Sequence, residues 1–237
     1  MSTNNGMMKQ IAKLGLLLMM GVSMSAEAGL FSHTIKWKEE VKLNDDRVMV
    51  VERHFNLGGY PTLDASERAP LDETITFTLP DSNKKISWKT EFNDHVPELN
   101  SLSPLLLDVI GGIPYLATTP AGCIAYNKWG RPNPPYVLYK YVNDEWKRIP
   151  LKEFPAVLVH ANLIGLPASS LLKPYYTVEA AKAEREDGNV SDYAKTILRE
   201  AVKSVDGITS CEVLVHYKCG WGAPGEFNRK YFERTCK

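Results

Sequence analysis

Three times between Ile35 and Leu151 the chain runs through alternating apolar and polar residues, turns on a short polar cluster, and alternates again. A period of two sends every second side chain to the same face, the mark of a strand half-buried in an antiparallel sheet. The first pair runs from Ile35 to Leu43 and from Arg47 to Phe55, around Asn44, Asp45 and Asp46. The second runs from Thr74 to Leu79 and from Lys85 to Phe92, around Pro80, Asp81, Ser82 and Asn83. The third runs from Tyr136 to Val142 and from Trp146 to Leu151, around Asn143, Asp144 and Glu145. Successive hairpins of this kind confine the chain to an α+β, mainly antiparallel β architecture, sandwich- or barrel-like. The apolar faces supply a core that includes Trp37, Val41, Ile75, Phe77, Ile86 and Trp88. Glu39 falls on the apolar side of its strand, where a carboxylate needs a cation or an exposed sheet edge.

Elsewhere the pattern changes. Leu102 to Ile110 is an apolar run that suits a buried strand or a short helix equally. Ala156 to Leu166 is too short to span a bilayer and reads as core. Helical spacing appears late: Thr177 caps a helix through Glu186, and Ser191 or Asp192 caps a second reaching Lys203. The second would set Tyr193, Ile197, Leu198 and Val202 on one face. A C-terminal β hairpin then pairs Glu212 to Lys218 with Arg229 to Thr235 around Gly222, Ala223, Pro224 and Gly225.

The first 28 residues place Lys9 and Lys13 before an uncharged apolar stretch and end in Ala26-Glu27-Ala28. That order is a secretory signal, cleaved to leave residues 29–237 as one domain without a membrane span. A periplasmic or secreted location follows. With 28 basic and 28 acidic residues in the whole chain, no basic footprint exists for nucleic acid. The four cysteines, Cys123, Cys211, Cys219 and Cys236, are even in number and belong to an oxidising compartment, so two disulfides are expected. Three pairings are possible; the hairpin register favours Cys211 with Cys236 and Cys123 with Cys219.

Catalytic signatures are missing from the sequence. The histidines, His33, His54, His95, His160 and His216, form no HExxH or HxH pattern, and the cysteine spacing fits no structural zinc site. There is no GxSxG elbow, and Ser170 with Lys173 is a poor serine-lysine match. Asp45-Asp46 and Asp72-Glu73 are paired carboxylates expected in turns, where solvated charges are the norm. Asn189-Val190-Ser191 matches a glycosylation sequon. No catalytic residue, metal or cofactor is assigned.

What stands out instead is aromatic. Tyr126, Lys128, Trp129 and Arg131 sit in a Gly- and Pro-rich stretch that ends in Pro132-Asn133-Pro134-Pro135, and Trp221 lies beside Cys219. Aromatics held by prolines give a large contact area at low entropic cost. These residues are the candidate binding surface of a non-enzymatic protein that recognises a protein or cell-envelope component. The alternative is a hydrolase acting on envelope or extracellular polymers.

Overall fold

A computed structural model of the chain describes residues 34–58, 68–92, 100–166, 172–186, 191–202 and 207–236. The expected signal segment lies outside these residues, as do His33, His95, Ser170 and Asn189.

Two antiparallel meanders make the body of the fold. In the first, β1 (Thr34–Lys42), β2 (Val48–Leu57), β3 (Pro70–Thr78) and β4 (Lys85–Glu91) pair in chain order. Alternation sets the faces as the sequence predicts: Trp37, Glu39, Val41, Met49, Val51, Arg53 and Phe55 point inward, while Lys36, Lys38, Val48, Val50 and Glu52 are exposed. The second meander is β5 (Leu102–Ile110), β6 (Ile113–Pro120), β7 (Val137–Val142) and β8 (Glu145–Ile149). Its outermost turn is Asn143-Asp144, with φ of 55° and 65°, the left-handed pair that a two-residue hairpin demands and that Asn and Asp tolerate. The apolar faces of the two sheets meet in one cluster that includes Val41, Val51, Ile75 and Phe77 from the first and Leu107, Val109, Leu116 and Val137 from the second. The result is a sandwich, mostly antiparallel β with short helices.

Leu102 to Ile110 resolves as strand, because its Leu-rich run is buried on both faces. β6 was not foreseen: Leu116, Ala117 and Thr118 are buried consecutively, so no alternation marks it. Behind the second sheet, Phe154, Leu158 and Ile197 cover Leu105, Leu106, Leu138 and Ile149. Beyond the reach of the second sheet, Trp37 and Phe55 are covered by Ile164, Tyr176 and Ala181. Tyr176 belongs to β9 (Tyr175–Tyr176), which pairs parallel with β1.

The gap between the sheets is closed by residues 162–164. Asn162 imitates a strand residue: its Oδ1 accepts from Leu107 N at 2.9 Å, and its Nδ2 donates to Leu107 O at 2.9 Å and to Lys42 O at 3.2 Å. Two places on, Ile164 N donates to Glu39 Oε2 at 2.9 Å, and Arg53 Nη1 donates to Ile164 O at 3.0 Å. The sequence reading that gave Glu39 a cation is therefore met by Arg53, with Glu73 as a second carboxylate on the same guanidinium.

Four helices occur among the described residues. α1 (Cys123–Lys128) follows β6; α2 (Val178–Glu186) is capped by Thr177, whose Oγ1 accepts from Ala180 N at 3.3 Å. The second predicted helix is a single turn, α3 (Asp192–Lys195). It stops because Thr196 is extended and bridges His160, and Ile197 N then donates to Val159 O at 2.7 Å. The C-terminal hairpin is shorter than expected and has a different partner: β10 (Val215–His216) pairs with β11 (Trp221–Gly222). The segment expected as its second arm is α4 (Glu226–Thr235). Phe232 of α4 lies so close over the hairpin that a Cβ on Gly220 would come within 2.6 Å of its ring.

That substitution of helix for strand also reverses the expected disulfide pairing. Cys219 joins Cys236 across hairpin and helix, and Cys123 joins Cys211. The expected hairpin register sets Cys211 opposite Cys236; with a helix and no strand at 229–235, that register does not exist.

Candidate functional site

α1 and the loop after it are organised by Asn127, which is buried. Its amide donates to Cys123 O and Glu212 O, each at 2.9 Å, while its Oδ1 accepts from Leu214 N at 2.8 Å. Arg131 completes this knot. Its φ is 53°, and the guanidinium donates to Asn127 Oδ1 at 3.1 Å, Glu212 O at 2.9 Å and Cys211 O at 2.7 Å, lying 4.9 Å from the Tyr126 ring. Tyr126 is itself buried. Both residues thus have a structural task, fastening the C-terminal region beside the Cys123–Cys211 bridge. Nothing in the sequence signals it, since the partners are backbone carbonyls some eighty residues away.

Trp129 is half-buried against the sandwich core. Its Nε1 donates to Asn100 O at 2.7 Å, and its ring carries the Arg148 guanidinium at 5.2 Å and the Lys128 ammonium at 5.8 Å. Trp221, also half-buried, packs edge-on against His216 in the small hairpin, 5.2 Å between ring centroids.

Beside this loop lies a groove of about 450 Å³, within the range that holds small ligands or a few peptide side chains. Pro132, Asn133 and Pro134 form one wall, and Pro150 and Leu151 the other; Tyr136, Leu138 and Ile149 are the floor, and Arg148 closes one end. None of Tyr126, Lys128, Trp129, Arg131 and Trp221 is among its lining residues. The proline walls noted in the sequence do frame it, whereas Arg148 and Leu151, on the neighbouring hairpin, were missed as site residues.

The polar groups of the groove are mostly committed inward. Tyr136 OH donates to Tyr193 O at 2.8 Å and accepts from Leu198 N at 3.1 Å, and burial pushes its pKa up to about 12. Asn133 pairs through its amide with both backbone groups of Val202. Arg148 differs: it is exposed, and among the described residues its side chain makes one hydrogen bond, a 3.3 Å contact from Nη2 to Trp129 O. An apolar trough with the Arg148 guanidinium beside it, on the other face of β8 from Leu138 and Ile149, is suited to an apolar ligand bearing an anionic group.

The carboxylates converge elsewhere, in a place no substrate reaches. Glu39, Arg53 and Glu73 are each at most 2% exposed. Asp72 and Glu73, adjacent in sequence, point to opposite faces of β3, so Asp72 meets Asn56 and Lys89 on the outside while Glu73 meets Arg53 within. Asp45 is bound by Arg47. Among the described residues no histidine hydrogen-bonds a carboxylate, and no group of three His, Cys, Asp or Glu is arranged to hold a metal.

Comparison of the chain with protein-family models, curated proteins and solved structures finds no match. Two disulfides fit an oxidising compartment, and no helix among the described residues is long and apolar enough to cross a membrane.

Proposed function

We propose that this is an exported, non-enzymatic binding or accessory protein that recognises a protein or cell-envelope component in the groove between Pro132-Asn133-Pro134 and Pro150-Leu151. The observation that carries the reading is the groove's chemistry: apolar floor and walls, inner polar groups already bonded, and the exposed Arg148 guanidinium. The aromatic loop singled out in the sequence supports this surface from behind. Trp129 positions Arg148, and Arg131 holds the loop itself. Sealing of the Glu39 and Glu73 carboxylates favours binding over hydrolysis.

A photo-crosslinking amino acid at Pro150 or Leu151, in the full chain expressed in its exporting host, tests the reading. A control at Val50 sits on the exposed outer face of β2. Discrete adducts from the groove positions but not from Val50 are expected. Absence of adducts at Pro150 and Leu151, or the same pattern from all three positions, would sink it.

A further inference from the structure

β8 is the last strand of its sheet, and its outer backbone edge opens beside the groove. The two-residue turn fixes which groups face out. Val142 and Glu145 close the hairpin, so Glu145, Lys147 and Ile149 are the residues whose N–H and C=O bond to β7, while those of Trp146 and Arg148 point away. No described residue beyond the sheet hydrogen-bonds the backbone of Trp146 or Arg148. The indole Nε1 of Trp146 donates to Ser87 O of β4 at 2.8 Å, tying that end of the strand to the first sheet. Arg148 carries the outward pair that lies beside the groove.

Arg148 therefore presents one N–H and one C=O, the pair that a single residue of an added antiparallel strand satisfies. Pro150 has no N–H and ends the donor row, so Arg148 is the last residue of β8 to offer both groups. Side-chain alternation then dictates the ligand. A residue directly opposite Arg148 shares its face, the one on which the guanidinium lies over Trp129, so an acidic side chain there meets the free donors. Residues before and after it turn to the opposite face, toward Leu138, Ile149 and Leu151 of the groove. Exposed charge on an edge strand discourages indiscriminate pairing; here Arg148 would admit an acidic strand and repel a basic one.

Resting on the groove reading, we infer that the ligand is an extended polypeptide segment of apolar-acidic-apolar pattern that adds to β8 as a fifth strand, its acidic side chain on Arg148. The probe is a fluorescein-labelled heptapeptide with valine-glutamate-valine at its centre, titrated into the disulfide-intact mature protein. Two control peptides replace the glutamate by lysine or methylate its backbone nitrogen. Fluorescence anisotropy should give binding about ten-fold or more tighter for the glutamate peptide than for either control, with the Arg148 amide shifted and slowed in exchange by NMR. Arg148→Glu, an exposed substitution, should reverse the preference toward the lysine peptide. Equal binding of the three peptides, no binding, or an unmoved Arg148 amide would each overturn strand addition. If groove cross-links from Leu151 persist and are unchanged by Arg148→Glu, strand addition alone falls; if those cross-links never form, the groove reading falls with it.

Discussion

The guanidinium of Arg53 donates to the carboxylate of Glu39 at 2.5 Å, with both side chains closed off from solvent. Glu73 takes the same guanidinium from the other side, and Trp37 lies beneath it at 5.0 Å. Removing one member of such a group is far worse than removing all, because the remaining charges stay buried without a partner. Arg53→Met should cost about 3–5 kcal/mol, whereas replacing Arg53, Glu39 and Glu73 together by apolar residues of similar size should recover most of the loss. Urea denaturation of the single and triple variants checks this; equal losses would contradict it.

Burial holds the Glu73 carboxyl above the ordinary glutamate range, Arg53 pulling against the rise and Glu39 adding to it. The folded chain then binds a proton at this site more tightly than the unfolded chain does. The contribution is fully present below the unfolded pKa and is lost as pH rises through the folded one. Glu73→Gln carries no charge at any pH. The stability of the natural chain relative to this variant should therefore fall as pH is raised from about 4 toward neutrality. A constant difference across paired denaturation curves would refute the shift.

Asn162 does the work of a strand at the seam. Asn162→Ala strips both backbone groups of Leu107 of their partner, and an unpaired buried polar group costs about 1–3 kcal/mol. Thermal unfolding should move accordingly, and hydrogen exchange should quicken at the Leu107 amide before it does at Leu116 in the centre of the sheet.

Arg131 can be separated from any ligand role by stability alone. Gly accepts the positive φ at this position, so Arg131→Gly loses only the side chain. Two carbonyls, Cys211 O and Glu212 O, then lose a charged donor, a loss of about 1.5–3 kcal/mol. An unchanged melting temperature would return Arg131 to the list of ligand contacts.

Peptide mapping of the non-reduced protein should recover Cys123 linked to Cys211 and Cys219 linked to Cys236, with no free thiol. Because the first bridge spans 88 residues and the second 17, chain entropy makes their removal unequal, about 4.6 against 3 kcal/mol. Serine pairs at each bridge, compared by denaturation, test the order.

The three hairpins were legible because one face of each strand is apolar and each turn is built from residues that tolerate its backbone angles. β6 was not, since Leu116 to Thr118 are buried without alternation and leave no period to read. α4 is a helix where the sequence suggests a strand: it buries none of its residues fully, so no stripe of core residues at helical spacing marks it. The candidate binding surface was half visible. Prolines 132 and 134 announced a rigid wall, but Arg148 looked like an ordinary strand cation until the fold set it against Trp129. Conversely, Arg131 looked free because its partners are carbonyls, which any residue provides and no sequence advertises.

Both meanders are assembled from chain neighbours, so each can form as soon as its own strands are available, with little loop entropy to overcome. Ile164 stands apart from this order. It lies 125 positions after the Glu39 carboxylate it closes, so in a chain made from its N-terminus β1 to β4 come long before the segment that closes their ionic centre. What closes it is one short, irregular segment, and a chain cut off before that segment keeps both meanders but leaves the Glu39 carboxylate without its backbone donor.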